Sequence, residues 1–168
     1  MSKLTKSLSK ALSEQIQNEF ASAYLYLAMS AECSNRNLKG TASWLRLQWL
    51  EELGHATKML DYALERGNAV RLRAIPEPGF EFTTLTAVFE HVLEHERSVS
   101  SAINALYAKA AEEKDFAAQA FLQWFVTEQV EEENSAQAVL DMLEIGGDQG
   151  AVLLMVDRHL GQRGAGQA

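Results

Sequence analysis

Apolar residues recur at helical spacing along four long stretches of this chain, and polar residues interrupt each apolar stripe. In the first stretch, Leu12 and Ile16 precede Glu19, which takes the next position on the same face. The polar residues within the four stripes are Glu19, Glu52, His55, Glu96, Gln129 and Glu132. Because burying an unpaired carboxylate costs several kcal/mol, the four glutamates among them must be protonated, paired or bound to a cation. Lys and Arg are nearly absent from the stripes, which favours a bound cation.

The periodicity predicts an all-α fold. We expect long helices at 7–35, 41–66, 83–111 and 115–145, then a short helix at 149–160 and a flexible tail at 161–168. The chain has only two prolines and ten glycines in 168 residues, which leaves room for long uninterrupted helices.

The stretch 67–82 contains both prolines, Pro76 and Pro78, and has no helical period. Extended at about 3.3 Å per residue, a segment of this size can run the length of a long helix. It can therefore join two antiparallel helical hairpins through a crossover. The sequence predicts a single domain over 1–168, with a four-helix bundle at about 7–145, one long crossover between the second and third helices, and a short fifth helix.

The turns place the polar residues at matching depths. Asn37, in the first predicted turn, lies midway between Glu19 and His55 along the chain. Lys114, in the second predicted turn, lies midway between Glu96 and Glu132. Because antiparallel helices rise equally on both sides of a turn, each pair is expected at one level of the bundle. The polar residues therefore converge near its middle.

The spacing of Glu52 and His55 puts one oxygen and one nitrogen ligand on the same helical face, as in carboxylate-bridged di-iron bundles. Carboxylates with one imidazole and no thiolate suit a hard cation, so we expect iron, with manganese as an alternative. We assign Glu19 and His55 to one iron, and Glu96 and Glu132 to the other. Glu52 is the expected bridge between them.

Three more residues lie near these predicted ligands. Gln129, one helical turn before Glu132, could hydrogen-bond an oxygen species that bridges the metals. Tyr26 and Trp124 either donate an electron to the site or contribute only to packing, and both alternatives stay open.

Composition excludes several classes of function. A net charge of −8 argues against binding to nucleic acid or to an anionic membrane surface. Cys33 is the only cysteine, which excludes an intramolecular disulfide and any cysteine-based metal site. The chain has neither an apolar run of membrane-spanning length nor a recognisable secretion signal, so we expect a cytoplasmic protein.

The segments NEFASAYLYLAM, WLEELGHATKML, HERS and FLQWFVTEQVEEEN resemble the four bundle helices of bacterial non-haem ferritins. The resemblance runs from about Leu8 to Leu160. It implies a ferritin-like fold, a hollow shell of 24 identical subunits, and ferroxidase activity in which Fe²⁺ is oxidised by O₂ or H₂O₂. The ferric product would be stored as a mineral inside the shell, for iron storage and detoxification. It also implies a third iron position, whose ligands match Glu51, Glu128, Glu131 and Glu132.

Departures from related families narrow the expectation. Bacterioferritins have a haem-ligating methionine directly after the glutamate of the second helix, and this chain has Leu53 there. Bacterioferritins and rubrerythrins also have a histidine three residues after the last bundle glutamate, where this chain has Ser135. Neither haem binding nor rubrerythrin-type peroxidase activity is therefore expected.

Two other functions remain as alternatives. The chain could be a non-catalytic helical assembly protein with protonated inward carboxylates, or a di-iron oxidase of an organic substrate. The sequence His91-x-x-Glu94-His95 also matches an inverted zinc-peptidase motif, but it lies off the apolar stripe that carries Glu96. We expect these histidines to be surface or subunit-contact residues.

Overall fold

The computed structural model describes residues 3–147 and 149–163, and these ranges form five helices and no strand. The helices are α1 (Lys6–Asn35), α2 (Lys39–Glu65), α3 (Leu85–Glu112), α4 (Phe116–Gly146) and α5 (Gly150–Leu160). Every predicted helix is present, with ends within two residues of those expected, so the predicted fold class is confirmed. Residues 161–163 form a turn after α5, and the rest of the predicted flexible tail, 164–168, lies outside the described residues.

Two tight turns produce the two helical hairpins. Asn37 and Lys114 adopt left-handed backbone angles, with φ of 63° and 55°. After each of them, a backbone N–H closes the helix by bonding a carbonyl five residues back: Leu38 to Cys33 and Asp115 to Ala110, both at 3.0 Å. The turn centres predicted from the sequence are therefore the residues that reverse the chain.

Side-chain caps begin three of the long helices. The hydroxyl of Thr5 accepts from the N–H of Leu8, and that of Thr84 accepts from the N–H of Ala87. Asp115 accepts from the N–H of Ala118 at 3.0 Å and so starts α4 directly after the second turn. These caps satisfy backbone donors that would otherwise be left unbonded at a helix start.

The long crossover connects α2 to α3 without a helix or strand of its own. It is held to α1 by a reciprocal pair of hydrogen bonds, in which Gln17 accepts from the N–H of Arg73 and donates to its carbonyl. Phe82, at its end, is buried against the bundle. The crossover therefore has the path along the bundle that its length predicted.

The apolar core falls into two clusters, one toward each end of the bundle. One contains Phe89, Val139 and Leu143, and the other contains Ile16 and Ile103. The polar stripe residues lie between the two clusters along each long helix. No helix within 3–147 and 149–163 is long and apolar enough to cross a membrane.

Candidate metal centre

Four helices each contribute buried polar side chains to the middle of the bundle. The residues predicted from the sequence are all buried, with no more than 7% of any of them exposed: Glu19, Glu52, His55, Glu96, Gln129 and Glu132. Each of them occupies a position on the apolar face of its helix, where an apolar residue would otherwise fill the core. The sequence thus correctly indicated an inward position for every one of them.

The first group of potential ligands comes from α1 and α2. One ligand atom from each of Glu19, Glu52 and His55 lies within 4.8 Å of those of the other two. His55 Nδ1 is 3.6 Å from Glu52 Oε2, which is too long for a hydrogen bond. Glu19 Oε2 and both carboxylate oxygens of Glu52 have no hydrogen-bond partner among the described residues. Such orphaned buried acceptors require a proton or a cation.

A second group links α2 to α4. Ligand atoms of His55, Glu128 and Glu132 also lie within 4.8 Å of one another. Glu128 is half-buried and Glu132 is 7% exposed. His55 is therefore common to both groups, and its position between them makes a site with more than one cation geometrically reasonable.

Glu96 belongs to neither of these two groups of ligand atoms, and its carboxylate accepts hydrogen bonds from other side chains. The Tyr26 hydroxyl donates to Glu96 Oε1, and Gln129 Nε2 donates to Glu96 Oε2 at 3.1 Å. Gln129 Nε2 also lies 3.3 Å from the Glu96 carbonyl oxygen. Thus the amide of Gln129, expected to serve a bridging oxygen species, binds the Glu96 carboxylate here.

The residues of the expected third iron position are only partly gathered. Glu128 and Glu132 lie together, whereas Glu51 and Glu131 belong to neither group of ligand atoms among the described residues. Glu51 is half-buried and is engaged by Arg163, whose Nη2 lies 2.9 Å from Glu51 Oε2. Glu131 is exposed on α4.

Burial raises the pKa of the central carboxyl groups, and their mutual repulsion raises it further. Glu19 is affected first by desolvation and then by Glu52, and Glu52 by desolvation and then by Glu96. The pKa of Glu132 is raised to about 7 by burial and by the nearby charges of Glu96 and Glu51. Burial also raises the pKa of Glu96, although its bonds from Tyr26 and Gln129 act in the opposite direction.

The Tyr26 hydroxyl remains protonated, because burial and the Glu96 carboxylate raise its pKa well above the usual value. It therefore acts as a hydrogen-bond donor that orients Glu96. Its ring also contacts His95 edge to face, with ring centres 5.8 Å apart. These contacts favour the packing alternative for Tyr26.

Two glutamines that the sequence analysis did not single out complete the surroundings of the ligands. Gln15 Nε2 donates to Glu19 Oε1 at 2.7 Å, and Gln48 Nε2 donates to Glu132 Oε2 at 2.6 Å. Gln15 lies one helical turn before Glu19, and Gln48 lies one turn before Glu52. A search for buried amides one turn from each predicted ligand would have found both.

Trp124 and the histidine motif of α3 have structural surroundings of their own. Trp124 contacts the His55 ring edge to face at 5.5 Å, and Lys58 Nζ lies 3.2 Å from the Trp124 ring centre. His95, expected at the surface, is half-buried with Nε2 2.9 Å from Ser22 Oγ. Burial and His91 lower its pKa to about 4, so His95 is neutral at physiological pH.

The donor set fits a hard cation. The two groups offer carboxylate oxygens and one imidazole, with no thiolate, which is the ligand preference of iron and manganese. Glutamines and a tyrosine occupy several carboxylate oxygens, yet within the described residues no Lys or Arg forms an ion pair with Glu19, Glu52, Glu96 or Glu132. Protons or cations must therefore complete these carboxyl groups.

Comparison with known proteins agrees with this geometry. The family model for the ferritin-like domain matches residues 9–145. The chain is 43% identical to a bacterial non-heme ferritin of Bacteroides fragilis over 160 residues, covering 95% of this chain and 99% of the relative. It is 36% identical to a bacterial non-heme ferritin of Campylobacter jejuni over 157 residues, covering 94% of each.

Solved structures give the same result. An open-pore ferritin from the hyperthermophilic archaeon Archaeoglobus fulgidus matches with a TM-score of 0.93 and 45% identity, over 96% of this chain and 98% of that one. Family model, relatives and structures all cover nearly the whole bundle, including the helices that bring the buried carboxylates together. The chain belongs to the ferritin family.

Proposed function

We propose that this protein stores and detoxifies iron, and that it is a ferroxidase which oxidises Fe²⁺ at a dinuclear site inside the bundle. The observation that carries the proposal is the set of buried carboxylate oxygens on Glu19 and Glu52 that have no partner among the described residues. A folded protein rarely leaves buried acceptors unsatisfied unless a ligand completes them. Membership of the ferritin family supports iron as that ligand.

In the proposed site, Glu19 and His55 hold one iron, Glu96 and Glu132 hold the other, and Glu52 bridges them. The repulsion from Glu96 and Glu132 that raises the pKa of Glu52 supports this, because Glu52 must lie close to both carboxylates to feel it. Tyr26 and Gln129 would fix the orientation of Glu96 through their hydrogen bonds. Glu51, Glu128, Glu131 and Glu132 are the proposed ligands of a third iron.

Oxidation of two Fe²⁺ releases two electrons. Molecular oxygen accepts both electrons with two protons and becomes hydrogen peroxide, and peroxide as oxidant would accept two electrons and two protons and become water. The surrounding carboxylates favour Fe³⁺ over Fe²⁺, because the higher charge gains more from a negative, poorly solvated site. No haem is required for this reaction.

The storage shell is proposed to be a homo-oligomer of about 24 chains, as the family resemblance implies. Several large apolar side chains of the described residues are exposed and are available for subunit contacts. Leu154 and Met155 on α5 are 69% and 71% exposed, and Phe116 at the start of α4 is 74% exposed. Exposed apolar groups of this size are typical of association surfaces.

Rapid mixing of anaerobic Fe²⁺-loaded protein with oxygenated buffer tests the proposal. We expect a fast phase that saturates at about two irons per chain and consumes oxygen, followed by a soluble ferric protein. An oxidation rate equal to that of buffer alone would refute the ferroxidase and leave the carboxylates structural. Sedimentation of the same samples would test the shell, since a monomer or dimer would contradict it.

A further inference from the structure

Arg163, three residues after the end of α5, folds back onto α2. Its Nη2 lies 3.1 and 2.9 Å from the two carboxylate oxygens of Glu51. Its Nη1 donates to Gln48 Oε1, and the guanidinium carbon lies 4.9 Å from the Trp44 ring centre. One guanidinium is thus held simultaneously by a carboxylate, an amide and an aromatic ring.

The docking of α5 onto the start of α2 positions Arg163. The Asp157 carboxylate accepts from the N–H groups of Gly40 and Thr41 at 3.0 and 2.8 Å, which caps the α2 N-terminus. A side chain at position 40 could not be accommodated, because a Cβ there would lie 1.6 Å from the Asp157 carbonyl oxygen. Val156 and Leu160 are buried in the same contact. The segment that precedes Arg163 is therefore firmly placed.

The contacts of Arg163 lead directly to the proposed iron ligands. Gln48 accepts from Arg163 through its Oε1 and donates through its Nε2 to Glu132. Glu51 precedes Glu52 in α2. The guanidinium accordingly neutralises one of the four carboxylates proposed to hold the third iron, and it orients the amide that binds another.

We propose that Arg163 determines the cation occupancy of the third position, and this proposal rests on the proposed function of the site. A guanidinium and a cation cannot share the Glu51 carboxylate, because the cation would need the oxygens that Arg163 binds and would be repelled by its charge. A third cation binds at Glu51 only after Arg163 leaves it. Arg163 is thus a specificity-determining residue that favours two ions per chain over three.

Anaerobic titration of Fe²⁺ into the metal-free, assembled protein, followed by calorimetry, tests this competition. In the Arg163→Ala variant we expect about one additional ion per chain, bound about tenfold or more tightly than in the wild type. The first two ions should bind as in the wild type. The matched control is Arg158→Ala, which removes the same charge from an exposed position on α5 and should leave the titration unchanged.

A Glu51→Gln variant tests whether the effect of Arg163 depends on Glu51. In a Glu51→Gln protein the carboxylate that Arg163 binds is gone, so adding Arg163→Ala should no longer add an ion per chain. Equal titrations of wild type and Arg163→Ala would overturn the proposal, as would an equal gain in Arg158→Ala. Loss of the first two ions in Arg163→Ala would also overturn it, since Arg163 would then support the dinuclear site.

The same titration separates this inference from the proposed function. If the wild type bound no Fe²⁺ tightly but Arg163→Ala bound an ion through Glu51, the competition would stand and the dinuclear site would fail. If the wild type bound two ions and Arg163→Ala added none, the dinuclear site would stand and the competition would fail. Absence of tight binding in both proteins would overturn both.

Discussion

Two regions of the bundle bury ionisable side chains, and they satisfy them in opposite ways. At one end, Arg66 and Asp115 form a two-pronged ion pair, with nitrogen–oxygen distances of 3.1 and 2.7 Å. In the middle, Glu19 and Glu52 lie next to each other with oxygens that no described residue satisfies. The ion pair joins the residue after α2 to the residue before α4, whereas Glu19 and Glu52 come from the middle of α1 and α2.

The pKa values of the carboxyl groups are shifted in opposite directions in the two regions. Arg66 lowers the pKa of Asp115, so that carboxylate remains charged and bonded within the protein. Burial and neighbouring carboxylates raise the pKa of Glu19 and Glu52, so a proton or a cation must complete the middle. The end of the bundle is a structural contact that the chain itself completes, whereas the middle has carboxyl groups that a proton or the proposed iron must complete.

Replacement of the proposed bridge should have the largest effect. Glu52→Ala is expected to abolish the rapid oxidation of two Fe²⁺, because both irons lose a shared ligand, while assembly is unchanged. Stopped-flow absorbance and sedimentation measure the two properties. Glu65→Ala removes an exposed glutamate from the same helix and should oxidise iron normally. Kinetics of wild-type speed in Glu52→Ala would remove the bridging assignment.

Breaking the ion pair at the end of the bundle should affect stability and not iron oxidation. Asp115→Ala leaves Arg66 buried without its carboxylate and also removes the α4 cap, a combined loss of about 3 kcal/mol or more. A loss of this size would lower the thermal midpoint by about 6–12 °C in a chain of this length. Differential scanning calorimetry measures it, with exposed Asp61→Ala as control. An unchanged midpoint would show that this pair contributes little to stability.

The sequence predicted the features that depend on neighbouring residues, but not the contacts between distant segments of the chain. Helices, turns and inward polar positions follow from local periodicity, and Asn37 and Lys114 reverse the chain where the pattern placed them. The start of α2 was misplaced by two residues, because its N-cap Leu38 has no capping side chain and the N–H groups of Gly40 and Thr41 bond instead to Asp157, which is distant in sequence and brought there by α5. The Arg163 contact depends on that docking as well, and no local signal in a glycine-rich tail could predict it.

Which ligand belongs to which iron was also beyond sequence reasoning. Periodicity fixes the face and the depth of each side chain, but the rotamers of several carboxylates decide which atoms converge. The structure joins Glu128 to His55 and Glu132, and it directs Glu96 toward Tyr26 and Gln129. The split between two irons and the third position therefore stays a prediction.

The middle of the bundle should respond to pH. The pKa of Glu132 is raised to about 7 from an ordinary value of 4.5, so the folded metal-free protein holds this proton more tightly than the unfolded chain. Its contribution is therefore favourable below about pH 4.5 and is lost as pH rises toward 7. Cation binding displaces the proton, so affinity should fall up to about tenfold for each pH unit below 7.

Calorimetric titration with Zn²⁺, an ion that is not oxidised, checks this dependence at pH 5.5, 6.5 and 7.5. Repeating it in buffers of different ionisation enthalpy gives the number of protons released. Glu132→Gln cannot hold that proton and should show a weaker pH dependence. Proton release that is zero at pH 6.5 in the wild type would contradict a raised pKa at this carboxyl group.

The smallest effect is expected from replacement of Glu131, which belongs to neither of the two regions. It is exposed on α4 and outside both ligand groups among the described residues, so it is neither paired like Asp115 nor buried like Glu52. Because Glu131 is a proposed ligand of the third iron, Glu131→Ala should slow repeated turnover by about tenfold or less and leave the first oxidation fast.

Exposed Glu144→Ala is the matched control on the same helix. Stopped-flow kinetics with successive Fe²⁺ additions distinguishes the two phases. Loss of the first phase would place Glu131 in the dinuclear site, and the boundary between the buried centre and the solvated face would then have to be redrawn to include it.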